Sequence, residues 1–304
     1  MMKKIYLILI AIISANIAFS QQMPLYSQYF MNKFLVNPAI TGNVDYVPLR
    51  LTARQQWVGM DNAPSTQAIS AHTLLGNKQM GVGGYIFADR IGPETKIGIQ
   101  ASYSYIIPLN SIDSKLSFGI AARAFQYKMD YTILTPIQEN DPSLNNTVET
   151  TFVPDADFGV YLQNDKYYVG LSANQLIELP VEIAGQSIDK NSMVRHYYLM
   201  GGYLFQISND FKLEPSVMFK ATEHTPAQLD INVRGIYQDN YWVGVSYRSS
   251  NDIIAMLGLK INKFIFGYAF DYTTSDIKTY SSGSHEIMLG YNFGEGKNRG
   301  SVLL

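Results

Sequence analysis

A chain of 304 residues with only 16% charged but 13% aromatic side chains carries too little charge for an ordinary soluble surface, where about a quarter of residues are charged. Its net charge of −2 speaks against a nucleic-acid partner, which requires a concentrated basic face. The lack of cysteine excludes disulfides, a thiolate metal site, a thiol nucleophile and the acceptor of a bacterial lipid anchor.

The chain opens with Met1-Met2-Lys3-Lys4, an apolar stretch from Ile5 to about Ala18, and Ala18-Phe19-Ser20 before Gln21. A charged start, a short apolar core and small residues at its end predict a secretory signal peptide over 1–20. Residues 21–46 differ in kind. Tyr26, Tyr29, Phe30 and Phe34 recur at helical spacing, Ser27 is a candidate cap and Asn37-Pro38 a stop. This N-terminal segment reads as a short amphipathic helix or as a flexible arm.

No later stretch approaches the ~20 apolar residues of a membrane helix, so a mature chain in a membrane must cross it as a closed barrel. Alternating apolar and polar residues predict strands over 47–55, 67–75, 80–89, 97–107, 115–126, 155–163, 167–174, 196–206, 211–221, 229–234, 241–248, 253–261, 263–272 and 284–293. Along 97–107, for example, Ile97, Ile99, Ala101, Tyr103, Tyr105 and Ile107 share one face against Gly98, Gln100, Ser102 and Ser104. The fold class is therefore all-β: a transmembrane antiparallel β-barrel of about 14 strands over 47–293, followed by a tail, 294–304. The N-terminal segment, 21–46, is then a candidate plug, placed at the periplasmic mouth of this barrel or in its lumen. Connections after even-numbered strands are short and rich in Asn, Asp and Ser. Those after odd-numbered strands are longer on average, notably 127–154, 175–195 and 273–283, as in barrels with short periplasmic turns and long outer loops. Tyr103 and Tyr105, Tyr167 and Tyr168, Tyr197 and Tyr198, Tyr241 and Trp242, and Tyr268 and Tyr272 are candidates for the interfacial girdles.

Enzymatic parts are missing from the pattern. There is no G-x-S-x-G elbow, and His72, His196, His224 and His285 are scattered without metal-site spacing. His72 shares a strand face with Ser70. Asp155 with Asp157, and Asp141 with Asn145 and Asn146, lack calcium-loop spacing, and Gly294-Glu295-Gly296-Lys297 is followed by no helix. No cofactor is implied. Arg50, Arg54, Arg123, Arg234 and Arg248 each fall on a polar strand face, where they either brace the barrel by pairing with Asp230, Asp157 or Glu214 or grip an acidic cargo segment.

Three stretches resemble the PorP/SprF family of type IX secretion outer-membrane proteins of Bacteroidetes. Tyr26-Ser27-Gln28-Tyr29-Phe30-Met31-Asn32 with Asn37-Pro38-Ala39 and Gly42 is similar to the family's opening pattern. Arg54-Gln55-Gln56-Trp57-Val58-Gly59-Met60-Asp61-Asn62-Ala63-Pro64-Ser65-Thr66-Gln67, continued by Ser70-Ala71-His72, resembles its signature, and Gly81-Val82-Gly83 with Asp89-Arg90-Ile91-Gly92-Pro93 its next hairpin. The resemblance implies outer-membrane lipid around the barrel and a role in binding, delivering or anchoring a secreted surface protein, an adhesin-type cargo with a C-terminal sorting domain, in some members for gliding motility. It also implies contact with other type IX components, including periplasmic ring proteins, and adds Trp57, Asp89 and Arg90 to the cargo or lumen candidates. A passive porin or hydrophobic-solute transporter is the other role open to this fold.

Overall fold

The computed structural model describes residues 24–76, 79–134, 147–183, 186–223 and 225–295. In chain order its strands are β1 (Val47–Gln55), β2 (Ser65–Leu74), β3 (Met80–Ile91), β4 (Glu94–Leu109), β5 (Ser114–Asp130), β6 (Val148–Gln163), β7 (Tyr167–Asn174), β8 (Pro180–Ile183), β9 (Gln186–Ser192), β10 (His196–Tyr203), β11 (Phe205–Gln206), β12 (Phe211–Thr222), β13 (Gln228–Tyr237), β14 (Tyr241–Arg248), β15 (Asp252–Ile261), β16 (Phe264–Thr273) and β17 (Ser284–Phe293). Sequential neighbours pair antiparallel, β10 joins β7 to β12, β11 prolongs β10 along β12, and β1 pairs with β17, so the sheet has no free edge. With β10 and β11 as one stave and the β8–β9 hairpin outside the wall, the barrel has 14 staves, the number read from the alternation.

The two-residue period sorts side chains between lipid and lumen. Ile97, Ile99, Ile120, Phe152, Val243 and Leu257 stand on the outer surface, while Gln100, Ser102, Arg123, Asp157 and Ser246 are buried inside. A soluble protein would bury that outer apolar band. Here it forms the belt that hydrocarbon covers. No helix among the described residues is long and apolar enough to cross a membrane. The connections at the end where β1 finishes include 56–64, 131–147, 175–195 and 274–283, and at the other end 110–113, 164–166, 238–240 and 262–263. The long-connection end is the outer one by the usual asymmetry of such barrels.

Three expectations change. The 127–154 connection is shorter than read, because β5 and β6 continue their ladder from Phe125 and Val153 out to Asp130 and Val148. The aromatic doublets do not all belong to the girdles. Adjacent strand residues face opposite ways, so Tyr197 and Tyr241 are exposed while Tyr168, Tyr198 and Trp242 turn into the lumen. Finally, the N-terminal segment is not an α-helix. It forms three 3-10 turns, Tyr29–Met31, Lys33–Leu35 and Pro38–Ile40, separated by Asn32 and by Val36-Asn37. The leader over 1–20, Asp141, Asn145, Asn146, His224 and the tail from 296 onward lie outside the described residues.

Candidate functional site

Every residue from Ser27 to Asn43 is buried, because the segment runs through the lumen from the outer half down to the periplasmic end, where β1 begins. Its first contact is electrostatic. The backbone N–H groups of Ser27 and Gln28 donate to Glu286 Oε2 and Oε1 at 2.7 and 2.9 Å, and Ser27 Oγ donates to Asp271 Oδ2 at 2.7 Å. Arg54 closes the cluster, donating to Ser27 Oγ and pairing with Asp271, each at 2.7 Å, with Glu286 at 3.4 Å. Arg248 joins it to the next staves, 3.0 Å from Asp230 and 3.3 Å from Asp271. These charges are buried together, so each carboxylate is tolerated only while its cations and donors are in place.

The middle of the segment is held by packing. Tyr29, Phe30, Phe34, Leu35 and Ile40 form one apolar cluster with Tyr161, Tyr168, Tyr198 and Trp242 of the wall. Lys33 Nζ sits 4.2 Å from the centre of the Tyr168 ring, and the Arg234 guanidinium 4.5 Å from that of Phe30. Charge over an aromatic face is a favourable way to bury a cation. Arg234 also pairs with Glu214 and approaches Met31 Sδ at 3.0 Å.

The last part lies on a shelf of small residues. Gly81, Ser104, Gly119, Gly159 and Ser172 stand opposite one another across β3, β4, β5, β6 and β7. A Cβ on Gly119 would collide with the backbone of Pro38 and Ala39, and one on Gly159 with Asn37 Oδ1. The shelf thus lets two backbones approach as only glycine permits. The two serines of the shelf bond the segment's backbone: Ser104 Oγ donates to the Thr41 carbonyl, and Ser172 Oγ to that of Val36 at 2.7 Å. Asn37 Nδ2 reaches the Val160 and Leu171 carbonyls at 3.1 and 3.3 Å, and its Oδ1 accepts from Ala39 N–H at 2.9 Å.

The sequence-predicted residues separate into two groups. The lumen arginines are tied to the wall and the plug: Arg123 pairs with Asp157 at 2.6 Å and Arg50 donates to Asn292 Oδ1 at 2.8 Å, besides the contacts of Arg54, Arg234 and Arg248 above. Trp57 and Arg90 instead belong to the outer rim, while Asp89 is buried just below it, where its carboxylate accepts from Thr66 Oγ1. At the rim, Val58 N–H donates to Gly283 O at 2.8 Å and Ser282 N–H to Val58 O at 2.7 Å, so the 56–64 and 274–283 connections prolong the β1–β17 ladder. Gly92 N–H donates to Asn62 O at 3.0 Å and Arg90 Nη2 to Asn62 Oδ1 at 3.3 Å, adding the β3–β4 turn. Three connections therefore form one pad, on which Tyr280 is 73% and Met60 37% exposed.

Ser70 and His72 do not meet as a catalytic pair. Ser70 Oγ accepts from Asn32 Nδ2 at 3.0 Å and His72 Nδ1 from Gly42 N–H at 3.1 Å, so both hold the plug. No group of three or more potential metal-ligating side chains occurs among the described residues. Ser27, Gln28, Asn37, Asp271, Glu286 and the shelf glycines were not singled out as site residues from sequence. Their only early sign was small or polar character on lumen-facing strand positions, or membership of the stretches that carry the family resemblance.

Solved structures of similar shape are outer-membrane barrels. The toluene transporter TbuX of Ralstonia pickettii aligns at a TM-score of 0.51 with 8% identity, covering 86% of this chain and 92% of that one. The CymD monoaromatic hydrocarbon channel gives 0.50 with 10% identity over 92% and 96%, and a Pseudomonas aeruginosa FadL homologue 0.46 with 10% over 89% and 94%. At these identities the likeness shows the fold alone. No curated protein matches the chain by sequence. The family described as type IX secretion system membrane protein PorP/SprF matches residues 18–291, which takes in the plug and nearly all of the barrel, and the chain belongs to this family of outer-membrane proteins.

Proposed function

We propose that this outer-membrane component of type IX secretion binds a secreted surface protein, of adhesin type with a C-terminal sorting domain, and delivers or anchors it at the cell surface. The observation that carries the reading is the filled lumen: Ser27 to Asn43 occupy its interior, so the outer connections are left as the surface for a large partner. The pad around Trp57, Met60, Arg90 and Tyr280 suits that role, since its backbone is fixed in advance and little order need be gained on binding. The lumen arginines act in this reading as braces, each engaged by groups of the wall or plug. At the periplasmic end the short turns face other components of the secretion machine, ring proteins among them. A role in gliding follows where the cargo is a motility adhesin. The protein acts without catalysis, and passage of solutes, the other role this fold carries, would need the path that the plug fills.

Affinity purification of the tagged protein from outer membranes tests the reading. A secreted surface protein should co-purify with wild type and be depleted severalfold by the double substitution Trp57→Ala/Arg90→Ala in a barrel that still shows heat-modifiable migration. Equal recovery with both proteins contradicts docking on this pad.

A further inference from the structure

The outer pad and the outer end of the plug are rooted in the same strand ends. The 56–64 connection leaves β1 just beyond Arg54, and the 274–283 connection joins β16, which carries Asp271, to β17, which carries Glu286. Along the ladders Arg54 stands opposite Glu286, and Ser284 opposite Asp271. On the other side Thr66, opposite Arg54 on β2, donates through Oγ1 to Asp89, the chain neighbour of Arg90. Arg54, Asp271 and Glu286, which grip Ser27 and Gln28, are therefore also the footing of the pad.

Trp57 is the part of the pad that most needs such a footing. Its φ of +45° lies in the left-handed region, which is unfavourable for a bulky side chain and persists only where the surroundings over-determine it. Two sets of hydrogen bonds do so. Within the connection, Gln56 N–H donates to Pro64 O at 2.8 Å and Met60 N–H to Trp57 O at 3.1 Å. Across to the start of β17, Trp57 N–H donates to Ser284 Oγ at 3.1 Å and Val58 N–H to Gly283 O at 2.8 Å. The second set exists only while β1 and β17 stay in register at their outer ends. Unseating the plug would take two backbone donors from Glu286 and the Ser27 hydroxyl from Asp271. Both buried carboxylates would then lack donors on either side of Arg54, and the strand ends that carry them would have to rearrange to let water in.

We infer that the outer end of the plug positions the docking pad: Ser27 and Gln28, through Asp271, Glu286 and Arg54, hold the strand ends at which Ser284 fixes the Trp57 turn. Plug seating and partner docking are thereby linked, and because linkage is reciprocal a docked partner also tightens the plug. The inference rests on the docking reading for what the pad binds, whereas the hold on Trp57 is measurable without a partner. The chain has two tryptophans, Trp57 and Trp242. Fluorine NMR of the full-length protein, labelled with 5-fluorotryptophan and held in detergent, follows both, with Trp242→Phe to assign them. Ser27→Asp, which sets a further carboxylate against Asp271 and Glu286, should move the Trp57 resonance by more than its line width. Ser172→Ala, at the other end of the plug, should leave it in place. If Ser27→Asp loses heat-modifiable migration, Ser27→Ala takes its place and should move the resonance where Ser172→Ala does not. A Trp57 resonance unmoved by the change at Ser27, or moved equally by Ser172→Ala, overturns the inference. Co-purification from outer membranes separates the two readings. A severalfold loss of the surface protein with the Ser27 variant, as with Trp57→Ala/Arg90→Ala, supports the link. Depletion by the double substitution alone overturns it. No depletion by either, with Trp57 displaced in the Ser27 variant, contradicts the docking reading and leaves the positioning of the turn supported.

Discussion

The two ends of the plug are held by different chemistry. At the outer end, Ser27 and Gln28 are gripped by Glu286 and Asp271, with Arg54 and Arg248 closing the cluster. At the periplasmic end, Val36 to Asn43 lie on glycines and accept or donate neutral hydrogen bonds to Ser104, Ser172, Asn174, His72 and Ser117. Buried charges stabilise only as a complete set, because removing one leaves the others uncompensated. Neutral bonds contribute separately, roughly 0.5–1.5 kcal/mol each. The outer end should therefore fail as a unit and the inner end by degrees.

Substitutions can break or sharpen this contrast. The largest effect is expected for Glu286→Ala, which strips Ser27 and Gln28 of their acceptor and leaves Arg54 with less counter-charge. A loss of ~3–5 kcal/mol is expected, read as a lower temperature for conversion of the fast-migrating folded band. Adding Arg54→Ala should restore part of that loss. If the two losses simply add, the cluster does not act as a set.

Next comes Gly159→Val, whose side chain would occupy the place of Asn37 Oδ1. Overpacking of this kind costs about 1–3 kcal/mol, and the plug should lift from the shelf, so in the Gly159→Val background the added substitution Val36→Cys, at a buried plug position that leaves Asn37 in place, should gain reactivity toward a water-soluble maleimide. Unchanged labelling would mean that the shelf does not seat the plug. The smallest effect, about 1 kcal/mol or less, is expected for Ser172→Ala, because the Val36 carbonyl keeps the amide of Asn174 at 3.3 Å. A destabilisation equal to that of Glu286→Ala would erase the distinction between the two ends.

The wall was far more legible in the sequence than the plug. Strand alternation is local, so Ile97 to Ile107 declare their faces without knowledge of the rest of the chain. The ion pairs depend on register across strands: Arg54 meets Glu286 only because β1 closes on β17 with these residues opposite, and likewise Arg234 meets Glu214 and Arg248 meets Asp230. Lumen arginines could thus be recognised by face, while partners far along the chain, such as Glu286, could not be. In the N-terminal segment, helical spacing of Tyr26, Tyr29, Phe30 and Phe34 misled because successive 3-10 turns also repeat every three to four residues. Wall side chains take carbonyls such as those of Val36 and Thr41, as Ser172 and Ser104 do, so the segment gains hydrogen bonds from the barrel that a continuous helix would make within itself.

The central claim is that the lumen is filled and that partners are met on the outer face. Single-channel conductance in planar bilayers tests the first half most directly. Wild type should be electrically silent, and a variant lacking residues 24–43 but still folded, as shown by heat-modifiable migration, should open a steady conductance. A stable open pore in the wild type, unchanged by removal of the plug, would contradict the account.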